Sequence, residues 1–467
     1  MASPSPERFD LVVIGAGPAG EKGAAQAAYY GKRVAIVEAE QEPGGAAVHT
    51  GTLPSKTLRE TALFLSGYRT RNLYGVAVEL RPDATVRKLI ERKDAIVETA
   101  SRAMMHNLNR HNVRYFHGRG RFEDPHTVVV DGEDGSTRLS GEHILVTTGS
   151  RPYHPEGIEF QDHNIWDSDE ILGIDQLPGS MAILGGGVIG CEYACMFAAL
   201  GVDVTLVDAR TELLPFLDAE ISARLAEAME KLGICLVQGH RWTGVERKGA
   251  GVVTALSDGG ELQAEYLLFT AGRTGNTAGL ALDRIGVLTD DRGYIPVDDC
   301  YRTACVSVSA AGDVIGFPAL ASVSMEQARV AVCKAFGFGY KQAVSSIMPY
   351  GIYTIPEVSS VGETEQSARE KGMDVVVGRA LSRENARGQI TGDLEGITKL
   401  IVERQTRRIV GVHVIGERAS ELVHIGQTAL HLNAPVDLFI EMVFNYPTLA
   451  ETYKYAAYEC LAALNQP

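Results

Sequence analysis

Residues 9–38 read FDLVVIGAGPAG, then an alanine-rich run that ends at Tyr30, then GKRVAIVE. Leu11 to Ile14 is a short apolar run of the kind that forms a buried strand. It stops at Gly15, and Gly17 and Gly20 complete a G-x-G-x-x-G pattern. Gly15 permits the tight turn, and Gly17 lets backbone N–H groups approach a pyrophosphate. Gly20 lets the following helix pack closely on the strand. The helix N-terminus adds a partial positive charge that favours the anion. A second strand, Arg33 to Val37, ends in Glu38, whose carboxylate can accept hydrogen bonds from ribose hydroxyls. Strand, glycine turn, helix, strand and acid follow in the required order, so the stretch predicts a βαβ dinucleotide-binding unit.

The pattern occurs twice. Met181 to Leu184 predicts a strand, GGGVIG supplies Gly185, Gly187 and Gly190, and a helix is expected to about Leu200. Val202 to Val207 predicts the next strand, which ends in Asp208. A chain that binds two dinucleotides side by side is built to pass hydride between them.

The rest of the composition restricts the alternatives. Its 467 residues imply two to four domains, and 45% hydrophobic with 22% charged residues is ordinary for a globular protein. A net charge of −15 argues against nucleic acid or an anionic membrane as a main partner. No signal peptide or long apolar run is seen, which gives the expectation of a cytoplasmic protein. The seven cysteines, Cys191, Cys195, Cys235, Cys300, Cys305, Cys333 and Cys460, are odd in number and contain no CxxC. They suit reduced thiols rather than a disulfide framework or a metal site, and Cys191 and Cys195 suit core packing on a helix.

Residues 42–56 read EPGGAAVHTGTLPSK, in which Gly44 and Gly45 pass close to a bound cofactor and a helix is expected from about Pro54. This segment resembles the flavin-facing loop of the class I pyridine nucleotide–disulfide oxidoreductases, GGxCxxxGCxPSK. Aligned on the glycines and PSK, the two cysteine positions are Ala47 and Thr52. Near the C-terminus NYPTLAE, Asn445 to Glu451, resembles the family's HPTxxE, with Tyr446 in place of the histidine and Glu451 retained. Thiol–disulfide exchange needs a thiolate, which alanine and threonine cannot supply, and a phenol that titrates near ~10 is a poor base at neutral pH.

The resemblance implies an α/β fold with two Rossmann-like dinucleotide-binding domains, for FAD and NAD(P), and a C-terminal α+β dimerisation domain. The expected boundaries are 1–150 and 276–346 for the FAD domain, 151–275 for the NAD(P) domain and 347–467 for dimerisation. It implies FAD contacts at Gly120, at Thr148 and Gly149 of TTGSRP, at Asp313 of SAAGDVIG, and near Ala321 where a helix begins. Gly272 resembles the end of the strand that closes the nucleotide domain. Lys56 of PSK is implied to stabilise charge near the reduced flavin and to pair with Glu192 of GxIGxE, beside the nicotinamide. Tyr446 and Glu451 are implied to reach the flavin of a partner subunit in a homodimer or larger homo-oligomer.

The loop, the Tyr-Pro-Thr ending and the phrases GSRPYHP, GVIGCEYA and GRTGNT resemble the FAD-dependent soluble pyridine nucleotide transhydrogenases. That resemblance implies ping-pong hydride transfer from NADPH through flavin N5 to NAD⁺, and the reverse. An NAD(P)H:quinone or dye reductase on the same scaffold, and a non-enzymatic interaction subunit, are the alternatives. An acid that ends the second strand normally accepts from the 2′-OH of NAD and repels the 2′-phosphate of NADP. Asp208 is such an acid, whereas Arg210 offers a planar fork suited to phosphate. The expectation is that Arg210 swings to a 2′-phosphate while Asp208 turns toward solvent, and that NAD binds through Asp208.

Overall fold

The structure is a computed structural model that describes residues 5–67, 73–75, 82–160 and 164–465, with 82–85 as backbone only. The chain forms two compact units. One comprises Met1–Thr57, Ile90–Tyr153 and Gly272–Ser345, and the other Leu58–Leu89, His154–Ala271 and Ser346–Pro467.

In the first unit β1 (Glu7–Ile14), α1 (Pro18–Tyr29) and β2 (Val34–Glu38) form the βαβ unit expected from the glycine pattern. A single-turn helix α2 (Gly45–His49) precedes α3 (Thr52–Ser66), and a long α4 (Pro82–Arg110) follows. Next come β3 (Arg114–His117), β4 (Arg119–Asp124), β5 (Thr127–Gly132) and β6 (Gly135–Val146). Among the described residues these strands make a seven-stranded sheet in the order β3-β2-β1-β6-β5-β4, and β17 (Val308–Ala310) also pairs with β6. The strands β3, β2, β1, β6 and β17 run parallel, whereas β4, β5 and β6 form an antiparallel meander.

β1 reads as an unbroken apolar run because the sheet is covered on both faces. Val12 and Ile14 pack with Val37, Val128, Val146 and Val308, while Leu11 and Val13 pack with Ala24, Ile36, Leu108 and Ala328. Full burial of each valine, leucine or isoleucine among them contributes about 1.5–3 kcal/mol.

The second unit repeats the plan. β9 (Ser180–Leu184), α5 (Val188–Ala199) and β10 (Asp203–Asp208) form its βαβ unit. With β8 (Ile165–Asp167), β11 (Cys235–Gln238) and β15 (Tyr266–Phe269) they build a five-stranded parallel sheet, β11-β10-β9-β15-β8. Helix α6 (Ala219–Lys231) is capped by Asp218, which accepts the Glu220 N–H at 3.1 Å. β12 (Trp242–Lys248), β13 (Gly251–Leu256) and β14 (Glu261–Ala264) make a three-stranded antiparallel sheet for which the sequence analysis has no counterpart, and in the first unit β7 (Ser150–Pro152) pairs with β16 (Arg273–Gly275).

The C-terminal part of this unit is an antiparallel sheet, β18-β19-β22-β21-β20. Its strands are β18 (Tyr350–Ile352), β19 (Glu357–Gly362), β20 (Val375–Leu381), β21 (Ile397–Glu403) and β22 (Ile409–Gly416), and α8 (Ala419–His431) follows, numbered after α7 (Ala321–Ala335) of the first unit. The run IYTIPEVSSVG contributes to two strands, β18 and β19, since the proline between them at 356 has no N–H to give a ladder. On β21, Ile397, Lys399 and Ile401 share one face, and Lys399 is buried there. Its Nζ donates to Asp218 Oδ1 at 2.8 Å and Glu365 Oε2 at 2.9 Å, and lies 3.2 Å from Glu220 Oε2. Among the described residues no helix is long and apolar enough to cross a membrane.

Candidate functional site

The first cradle is built by close approach. At Gly15, φ is +101° and an added Cβ would lie 2.5 Å from the Thr147 carbonyl oxygen; one at Gly20 would collide with the Gly15 carbonyl oxygen. Gly17 caps α1 with its N-terminus open, and a Cβ at Gly45 (φ +53°) would stand 3.0 Å from Gly17 Cα. Gly44 donates its N–H to Ala16 O at 2.9 Å. Pro43 O, just before it, takes hydrogen bonds from Ser101 Oγ at 2.7 Å and His49 Nε2 at 3.1 Å. Glu38 Oε2 accepts the Ala16 N–H at 2.7 Å and Oε1 the Glu40 N–H at 3.0 Å, which leaves lone-pair positions on both oxygens.

Other residues of the first unit surround the same end of the sheet. Thr148 and Gly149 follow β6, and both their carbonyls are held by Asn276, at 3.1 and 2.9 Å. Thr148 Oγ1 is buried without a hydrogen-bond partner, as is Tyr115 Oη on β3, which sequence reading missed. Asp313 accepts from Ser150 Oγ at 3.1 Å and from Ser324 Oγ at 3.4 Å, and Ala321 is the first residue of α7. Gly272 (φ +121°) accepts the Tyr153 N–H. A Cβ at Gly120 would press on Ile14 and Val37, so core packing accounts for that glycine. Ala47 lies on α2 and Thr52 starts α3, which begins two residues before the expected Pro54. Lys56 on α3 donates to Ser55 Oγ at 3.3 Å.

In the second cradle Gly185 has φ +114°, Gly187 caps α5, and a Cβ at Gly190 would collide with the Gly185 carbonyl oxygen. Here the strand-ending acid is engaged on every side. Asp208 Oδ2 accepts the Gly186 N–H at 2.5 Å and Arg210 Nη2 at 2.7 Å, and Oδ1 accepts the Arg210 N–H at 2.8 Å and its Nε at 2.9 Å. A Cβ at 186 would sit 2.7 Å from that carboxylate, hence the third glycine of GGG. Burial pushes the Asp208 carboxyl up, but the Arg210 and Gly186 hydrogen bonds outweigh it and hold it below the usual carboxylate range. Asp208 is 7% exposed, and the expected turn toward solvent on binding a 2′-phosphate would forfeit the Gly186 and Arg210 bonds and a buried seat.

Glu192 on α5 is buried and accepts the Tyr353 N–H at 2.9 Å. Lys56 belongs to the first unit and Glu192 to the second. Tyr446 is 74% exposed, and Glu451 ends the short helical turn Leu449–Glu451 before α9 (Thr452–Leu464). Cys191 and Cys195 are fully buried, and burial pushes the Cys195 thiol up to about 12, where it is inert.

Family comparison accords with this geometry. Residues 9–333 match the family described as pyridine nucleotide-disulphide oxidoreductase, and residues 348–457 match its dimerisation domain. The chain belongs to the pyridine nucleotide-disulphide oxidoreductase family. It is thus an oxidoreductase linked to pyridine nucleotides, of transhydrogenase-like sequence, and carries that family's dimerisation domain. It is 43% identical over 463 residues to a soluble pyridine nucleotide transhydrogenase of Mycobacterium bovis, covering 98% of this chain and 99% of the relative. A soluble pyridine nucleotide transhydrogenase of Chromohalobacter salexigens is 40% identical over 453 residues, covering 96% and 97%. Among solved structures, the HOCl-induced flavoprotein disulfide reductase RclA from Escherichia coli superposes with a TM-score of 0.87 at 27% identity, covering 97% and 99%. LpdA from Mycobacterium tuberculosis gives 0.88 at 28% identity, covering 97% and 99%.

Proposed function

We propose that this member of the family transfers hydride between NADPH and NAD⁺ in both directions, using FAD and no redox disulfide. The observation that carries the reading is a joint replacement. Ala47, Thr52 and Tyr446 occupy the two thiol positions and the imidazole position, while both glycine cradles keep their close approaches. All three lost groups would serve a single half-reaction.

The first unit fits FAD on its own terms. The Gly17–Gly45 approach is a cradle that a Cβ at either position would narrow, and Thr148 Oγ1 is a buried hydroxyl with no partner of its own. Gly15, Gly17, Gly20, Glu38, Gly44, Gly45, Thr148, Gly149 and Asp313 would hold it. When bound, FAD supplies the two-electron centre at N5 that accepts and returns hydride. The chain's own work is positioning and charge. Helix α1 would direct its N-terminal N–H groups at the pyrophosphate, Glu38 would accept from ribose hydroxyls, and Lys56 would supply positive charge near the flavin ring. Gly185, Gly187 and Gly190 would seat the nicotinamide nucleotide, with Glu192 of the same unit beside it. Ala47, Ala321 and Gly272 would contribute backbone and shape.

The assembly is a homodimer or larger homo-oligomer in which Tyr446 and Glu451 would approach the partner's flavin. Exposed Val443, Tyr446, Tyr455 and Tyr458 supply apolar surface within the segment matched by the dimerisation domain. The test is purified protein with NADPH and an NAD⁺ analogue, set against lipoamide, glutathione disulfide and quinones. Rapid reduction of the analogue, with a dithionite titration that ends at two electrons per flavin, is the expected result. Reduction of a disulfide substrate, or uptake of four electrons with a thiolate–flavin band, sinks the reading.

A further inference from the structure

The usual rule takes an acid at the end of the second strand as the ribose ligand. That role requires an open lone pair, and a carboxylate offers about four positions. At Asp208 all are taken, by the Gly186 N–H, the Arg210 N–H, Arg210 Nε and Arg210 Nη2. The backbone around the pair is fixed as well. Gly239 N–H donates to Arg210 O at 2.9 Å and His240 N–H to Asp208 O at 3.2 Å, so the two residues cannot drift apart as a loose turn would.

Arg210 is in the opposite condition. Only Nε and Nη2 are committed to the carboxylate, while the side chain is 45% exposed. Nη1 and the second Nη2 hydrogen remain available on a guanidinium whose plane is already set. A guanidinium held on one edge by a carboxylate presents its other edge at a fixed angle, which suits the oxygens of a phosphate.

We propose that Asp208 is the positioning residue of Arg210 rather than a ribose ligand, and that Arg210 makes the second cradle prefer a nucleotide bearing a 2′-phosphate. NAD(H) then binds the same cradle without a side-chain acceptor for its 2′-OH, and more weakly. The pair stays closed for both nucleotides. This inference rests on the proposed nicotinamide nucleotide site.

The test is calorimetric titration of the FAD-loaded dimer with 2′,5′-ADP and with 5′-AMP, which report on the adenosine end without turnover. Wild type binds 2′,5′-ADP at least about tenfold more tightly. Arg210→Ala, a substitution at a half-exposed side chain, weakens 2′,5′-ADP about tenfold or more and tightens 5′-AMP, because it frees Asp208 to accept the 2′-OH. Asp208→Asn leaves 5′-AMP within about twofold and weakens 2′,5′-ADP severalfold, since the guanidinium is no longer held; a general structural lesion would weaken both ligands together. Gain of 2′,5′-ADP affinity in Asp208→Asn would mean that the acid acts by repulsion, and loss of 5′-AMP affinity that it is the ribose ligand; either overturns the inference. If wild type binds the two ligands equally, this inference alone falls. If it binds neither, the nucleotide-site reading falls and takes the inference with it.

Discussion

Glu38 and Asp208 close corresponding strands of two βαβ units, and each accepts the N–H of the middle residue of its glycine turn, Ala16 in one and Gly186 in the other. Beyond that bond they diverge. The other Glu38 oxygen meets only the Glu40 N–H, whereas Asp208 is gripped by the backbone and guanidinium of Arg210. Two acids in the same sequence context therefore differ in what they can still offer a ligand. Hydrogen-bond capacity left over after folding, rather than residue type, decides whether a strand-ending carboxylate can read a ribose.

The largest expected contrast between the halves lies at the buried ion cluster of the second unit. Lys399 and Asp218 are both buried, and removing the cation strands a carboxylate that must then be buried unpaired. Lys399→Met should cost about 3–5 kcal/mol. The two tryptophans, Trp166 and Trp242, both belong to the second unit, so urea unfolding followed by their fluorescence reads that unit, while flavin release reads the first. A tryptophan transition that keeps its wild-type midpoint would show that the ion cluster does not hold the second unit together.

Next come matched insertions into the two turns. Gly20→Ala and Gly190→Ala each drive a methyl at a carbonyl oxygen, an overpacking worth about 1–3 kcal/mol. Gly20→Ala should release FAD, seen as free flavin fluorescence. Gly190→Ala should keep FAD yet slow its reduction by NADPH in stopped flow. The reverse pattern would exchange the assignments of the two cradles.

The smallest effect is the pH dependence of the second unit, read by its tryptophans. Burial lowers the His413 pKa, against opposing contributions from its bond to Glu363 O and from Asp218, with Lys399 adding to the depression. A neutral histidine in the fold matches the unfolded chain above about 6.5 and loses ground below it, where only the unfolded chain takes up a proton. The slope is at most about 1.4 kcal/mol per pH unit for one proton. Burial raises the Asp218 carboxyl, but Lys399 and the Glu365 N–H pull it below the ordinary range, so its share is present above about pH 4 and lost as pH falls further. Tryptophan-detected stability should therefore decline in two steps, and His413→Asn should flatten the first. An unchanged first step in that variant would place its origin elsewhere.

Much of this molecule was legible in its residues, and the division is physical. The glycine turns depend on sterics within a few residues, so Gly15, Gly20, Gly185 and Gly190 declared themselves. The two-sided burial of β1 showed in its unbroken apolar run. Arg210 was visible as a candidate, but its grip on Asp208 is a matter of rotamer, and the sequence shows two opposed charges without saying whether they meet. The Lys399 bond to Asp218 spans 181 residues, and a lone lysine in ITKLIVE reads as an edge charge rather than a buried partner. The turn of helix at α2 was missed because Gly44 and Gly45, which look like breakers, serve as its start.

The cap of α6 carries a consequence for anyone who would treat the second nucleotide unit as an interchangeable cassette. Asp218 starts that helix, salt-bridges Lys399, and accepts the N–H of Glu365 at 3.1 Å. A grafted unit from another protein that started its helix with serine or threonine would satisfy the helix and still leave a lysine buried in the recipient sheet with its main counter-charge gone. Specificity transplants in this chain should therefore exchange the stretch from Gly185 to Arg210 and stop before Asp218, so that the donor brings its own turn and the host keeps its anchor.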